Sequence, residues 1–167
     1  PGPPTLGPVF GLLSVLKQLA DQLGISTALG TRELGKLGLF LVLSRLAHQG
    51  SRLSAVRWAA DHAVAEVLGI QSFTEDDLYE ALDDLCLRQE KIEQALYRRY
   101  RLDHSGPPQL FLYDVTSSYL EGEQNELGAY GYNRDGKRGK MQIVIGLLAD
   151  VDGEPLAVGV LPGNTAD

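Results

Sequence analysis

Cysteine is nearly absent: Cys86 stands alone in 167 residues. An internal disulfide and a cysteine-built zinc site are both excluded. Long hydrophobic runs are missing as well. The longest, Leu37 to Leu43, is seven residues including Gly38, against roughly 20 for a helical membrane span. The first ten residues, Pro1 to Phe10, place no cationic stretch ahead of an apolar core, so they do not read as a secretory signal. They also lack an initiator methionine, and the chain is expected to be part of a longer protein. No membrane association and a cytoplasmic setting are the expectations. Histidine is sparse, and His48, His62 and His104 are scattered, which gives a histidine-based metal site little support. Glycine-rich phosphate loops of the common types are absent. Ser117 and Ser118 have neither the flanking glycines of a nucleophile elbow nor a partner histidine, which argues against nucleophilic catalysis.

What is present is a chain able to bury a core. Apolar residues make up 44% of it, too many for a disordered segment. The formal net charge is −7, which at first argues against a nucleic-acid partner. Its distribution matters more than its sum. From Thr31 to Ala60, Arg32, Lys36, Arg45, Arg52 and Arg57 face only Glu33; from Asp61 to Leu96, ten acids face Arg88 and Lys91. A second basic knot, Arg134, Lys137, Arg138 and Lys140, follows Tyr130 and Tyr132 with only Asp135 opposing it. Cations interleaved with aromatic rings suit phosphate contact and stacking, so these six residues are candidate DNA-binding residues. The plainer alternative is a polar loop and ordinary solvated faces.

Hydrophobic spacing divides the chain. Pro8 to Leu23 carries leucines three and four apart, and Gly24 stops it. Thr31 is placed to cap a helix reaching about His48, with a buried apolar middle. Ser51 or Ser54 caps a third helix through Leu68, ended by Gly69. Thr74-Glu75-Asp76-Asp77 opens a fourth helix to about Arg101 with carboxylates at the positive end of its dipole. Gly106-Pro107-Pro108 cannot continue a helix. Beyond it, Leu110 to Thr116 and Met141 to Val151 read as strands, and Asp152-Gly153 as a hairpin turn leading into Pro155 to Leu161. The expected fold class is α+β. A helical region (1–102) and a linker (103–109) are followed by an incomplete strand region (110–167).

Asp114 is the odd residue of the first strand. It falls on the same side as Leu110 and Leu112, with Thr116 two residues on. A carboxylate buried in a strand costs free energy unless a cation or donors compensate, and such positions hold divalent metals. The alternative is a strand-end Asp bonded to a neighbouring loop. Asp150 and Asp152 bracket a tight turn and read as turn residues.

Five blocks occur in order: Leu112-Tyr113-Asp114-Val115-Thr116-Ser117-Ser118-Tyr119, Tyr130-Gly131-Tyr132-Asn133-Arg134-Asp135, Gln142-Ile143-Val144-Ile145-Gly146-Leu147-Leu148, Gly153-Glu154-Pro155-Leu156-Ala157 and Pro162-Gly163-Asn164-Thr165. As an ordered set they resemble the transposases of IS4-type bacterial insertion sequences, most closely the IS1634 group, over roughly Phe111 to Asp167. The resemblance implies a ribonuclease H-like α/β core that cuts and joins DNA at element ends, using two Asp and one Glu to bind two Mg²⁺ or Mn²⁺ ions. Asp114 matches the first of these acids and becomes the candidate catalytic residue and metal ligand. The family's Asp-Arg-Gly setting for the second Asp and its Tyr-x-x-Arg-x-x-x-Glu-x-x-x-x-x-x-Lys motif do not occur here. The chain therefore carries the first three strands of such a core and is expected to be inactive alone. The implied partners are insertion-sequence terminal repeats and a second copy of the transposase. The competing expectations are a non-catalytic DNA-binding or dimerising helical module and a decayed transposase remnant.

Overall fold

The computed structural model describes residues 7–104, 111–122, 124–132 and 139–165. Among these residues the fold is α+β, with six helices followed by a three-stranded antiparallel sheet. It divides into two compact units, residues 1–103 and 104–167. Among the described residues, no helix is long and apolar enough to cross a membrane.

The helical unit comprises α1 (Gly11–Gln22), α2 (Ile25–Leu29), α3 (Glu33–His48), α4 (Arg52–Ala60), α5 (Val64–Leu68) and α6 (Glu75–Asp103). The expected first helix is followed by a separate short one, because Gly24 takes a left-handed conformation (φ 77°) that turns the chain between α1 and α2. Thr31 does not cap α3. Arg32 occupies the N-cap, and no side chain bonds the first turn. Glu33 in that turn and Arg45 and His48 in the last turn instead complement the dipole. Gly35 lets α3 start close under the preceding turn, since a Cβ there would lie 2.4 Å from the Leu29 carbonyl oxygen.

The expected helix from Ser51 to Leu68 is interrupted after Ala60, and the reason is a backbone pairing the sequence does not announce. Val9 N–H donates to the Asp61 carbonyl at 2.8 Å, and Ala63 N–H donates to the Val9 carbonyl at 3.0 Å. These groups leave the helical ladder, and α5 restarts at Val64. Ser51 does cap α4, accepting from Ser54 N–H at 3.1 Å. Thr74 and Asp77 make a reciprocal cap on α6. The Thr74 hydroxyl accepts from Asp77 N–H at 3.3 Å, and Asp77 Oδ2 accepts from Thr74 N–H at 2.6 Å.

The core of this unit is the apolar middle of α3 against α1, α4 and α6. Phe40 is fully buried and packs its ring on Phe73 and Trp58, with centroids 4.7 and 6.2 Å away. Leu13, Leu43 and Leu78 complete the centre. Gly38 admits the Leu85 side chain of α6 to within 3.1 Å of where a Cβ would sit.

The second unit is a meander of β1 (Leu112–Tyr119), β2 (Gln142–Ala149) and β3 (Pro155–Pro162). β2 is the middle strand and pairs antiparallel with both neighbours, as its continuous apolar character leads one to expect. The hairpin turn is tied by Asp150, whose Oδ1 accepts N–H bonds from Asp152 at 3.0 Å and Glu154 at 2.8 Å. Gly153 supplies the left-handed residue (φ 83°) that the turn requires.

Candidate catalytic strand and DNA-facing segment

The register fixes what surrounds Asp114. It pairs with Leu147, which pairs with Val158; two residues on, Thr116 pairs with Ile145, which pairs with Val160. Partners in an antiparallel ladder share a face, so Asp114 and Thr116 sit on a sheet face with these aliphatic residues. That face is open. Asp114 and Thr116 are exposed, and Leu147, Val158 and Val160 are 42%, 45% and 51% exposed. The expectation that Asp114 occupies a buried, core-facing position is corrected here. The more buried face is the opposite one, where Gln142 and Val144 are withdrawn from water and the Tyr113 ring lies over Gly146. The Asp114 carboxylate accepts from its neighbour Val115 N–H at 2.9 Å. Among the described residues it belongs to no cluster of three metal-ligating side chains. One carboxylate does not make a two-ion site, because Mg²⁺ keeps most of its water unless several hard ligands replace it.

Asp150 sits on the turn, and its hydrogen bonds to the turn amides match its reading as a turn residue. Asp167 lies outside the described residues. The structure does bring together one set that sequence reasoning missed. Donor atoms of His104, Asp150 and Glu154 all lie within 4.8 Å of one another, with His104 Nε2 3.9 Å from Glu154 Oε2. Asp150 and Glu154 face each other across the turn, but nothing local signals that His104, 46 residues before Asp150, comes to the same place.

Of the candidate DNA-binding residues, Arg134, Lys137 and Arg138 lie outside the described residues. Tyr130 and Tyr132 are 68% and 82% exposed. Their backbone is nonetheless fixed to the end of the sheet. Ala129 and Gln142 exchange backbone hydrogen bonds at 3.1 and 3.0 Å, and Gly163 N–H donates to the Leu127 carbonyl at 2.9 Å. The Gln142 side chain, 2% exposed, donates from Nε2 to the carbonyls of Tyr132 (3.1 Å) and Gly163 (2.9 Å). Gly131 and Gly163 make this closeness possible, since a Cβ on either would fall within 2 Å of a backbone oxygen. Lys140 is paired with exposed Glu121 at 2.5 Å, a surface pair worth little in water and easily exchanged for another anion. Comparison with protein-family models, with characterised proteins and with solved structures finds no match to this chain.

Proposed function

We propose that the chain is the N-terminal portion of a DNA transposase that cuts and joins DNA at insertion-sequence ends. In this reading the three strands open a ribonuclease H-like core, and the protein works in the cytoplasm on terminal repeats, as a self-associating enzyme. The observation that carries it is Asp114 on the first strand of a sequential antiparallel meander, within the ordered blocks that resemble the IS1634 group. The open aliphatic face beside Asp114 supports it, since exposed apolar area of this kind marks a surface that further structure covers. The Tyr130–Tyr132 segment is held rigidly while its rings stay accessible, which suits stacking against DNA.

Divalent metal ions supply Lewis-acid chemistry for phosphoryl transfer in the complete enzyme. Asp114 would contribute one carboxylate to their site. Because Asp114 is exposed, Asp114→Asn removes charge without disturbing packing. In the complete protein this variant is expected to lose cleavage of DNA carrying the element ends while keeping end binding, since cations provide most of the affinity. Cleavage at the unaltered rate overturns the reading. The 167-residue chain alone is expected to show no metal-dependent nicking.

A further inference from the structure

We propose that the cleft between the end of α3 and the start of α4 is a phosphate-binding pocket whose occupant is the sugar-phosphate backbone of DNA. The proposal rests on the DNA-processing reading above and gives the helical unit a defined part in it. The cavity measures about 500 Å³, and Ser44, Arg45, His48, Gln49, Ser51 and Arg52 supply its polar lining. No acidic residue lines it, in a chain of net charge −7.

Lys17, Arg88 and Arg99 of the unit are matched with the carboxylates of Asp21, Asp84 and Asp103. Arg45 and Arg52 have no carboxylate partner among the described residues. They are held by other means. Arg45 Nη1 donates to the Gly50 carbonyl at 3.1 Å, using one of its five N–H groups. The Arg52 guanidinium lies 4.3 Å above the Tyr79 ring, and its Nη2 donates to the Tyr79 hydroxyl at 2.9 Å. Its Nε is buried with no hydrogen-bond partner. Two guanidinium groups are thus positioned with their charge uncompensated, which lowers the cost of ordering them around an anion.

Helix capping explains only part of this. Arg45 and His48 lie in the last turn of α3, where cations are favourable. Arg52 is the first residue of α4, where the dipole is positive and a cation is unfavourable. No acid stands in that first turn to offset it. An external anion answers both the arginine and the helix end. A polyanion fits better than a single phosphate, because exposed Arg57 further along α4 adds a third cation to Arg45 and Arg52. Several cations along one stretch match a chain of phosphates.

The test uses the 167-residue chain and a fluorescently labelled DNA duplex of mixed sequence, with anisotropy read across a salt series. Arg45→Gln is the main variant, because Arg45 is exposed and outside the core. It is expected to weaken binding about tenfold at low salt and to lower the slope of log K against log salt by about 1, in a chain that still melts cooperatively. Arg45→Lys is expected to restore most of the salt slope. Titration with inorganic phosphate is expected to shift the amide resonances of Arg52 and Leu53. Duplex binding that Arg45→Gln leaves intact overturns the pocket while leaving the transposase reading to the Asp114 cleavage experiment. Phosphate shifts without duplex binding overturn DNA as the occupant.

Discussion

The two units hold themselves together by different means. The helical unit has a closed apolar centre in which Phe40, Leu13, Leu43 and Leu78 are almost fully withdrawn from water. The sheet unit buries only Val144 and Ala149 among its described large or small aliphatic residues. It relies on the β1–β2–β3 ladder and on the amide of Gln142. Leu147, Val158 and Val160 line an exposed face beside Asp114. This row left in water is surface available for association. The contrast is between a unit with a closed apolar centre and a sheet held chiefly by its ladder; both leave apolar side chains at the surface, Phe10, Leu23 and Leu87 in the first as Leu147 and Val160 in the second.

Three substitutions sharpen or break this contrast. Phe40→Ala is expected to have the largest effect, destabilising the helical unit by about 3–5 kcal/mol. Trp58 packs against Phe40 and is the sole tryptophan, so its fluorescence reports that unit during urea denaturation. Exchange protection of the β2 amides is expected to stay unchanged. Loss of both signals together erases the distinction between the units.

Gly163→Ala attacks the sheet unit at its tightest point, where an added Cβ would lie 1.8 Å from the Gln142 carbonyl oxygen. Backbone cannot yield as a flexible side chain does, and a cost of about 2–3 kcal/mol is expected. The readout is faster amide exchange in β2 with the Trp58 transition unmoved. A neutral result removes the close approach as the device that holds the tyrosine segment.

The smallest effect is the cap of α6. The backbone and hydroxyl of Thr74 hydrogen-bond the Asp77 carboxylate and hold its pKa below the ordinary value. Its contribution is therefore present above the unfolded pKa of about 4 and is lost as pH falls through the lower folded value. The melting-temperature difference between the native chain and Asp77→Asn is expected to narrow progressively below about pH 4. A difference that stays constant down to acid pH shows that the cap does not act through charge.

Much of this was legible from local chemistry. The Thr74 cap, the Ser51 cap, the left-handed Gly69 and Gly153 and the apolar pattern of β2 each act within a few residues. What stayed hidden depends on distant partners. The break after Ala60 exists because Val9 claims the backbone of Asp61 and Ala63. The burial expected of Asp114 failed because alternation along a strand tells which residues share a face but not which face is covered. His104 approaching Asp150 and Glu154, and Arg52 settling on Tyr79, join positions far apart in sequence. The cation-rich stretch from Thr31 to Ala60 was visible as composition, but not as a cavity.

The hold that Gln142 and Gly163 exert on the tyrosine segment sets an order of events during synthesis. Tyr130 and Tyr132 leave the ribosome before β2 and β3 exist, yet the partners that fix their backbone are the Gln142 amide and the carbonyl and N–H at Gly163. Chains fold from the N-terminus as they emerge, so the helical unit can close while these rings are still unplaced. The aromatic pair takes its final position only after β3 has been made through Pro162. The tyrosine segment is therefore assembled last among the described elements, on a chain whose helical half can already have folded.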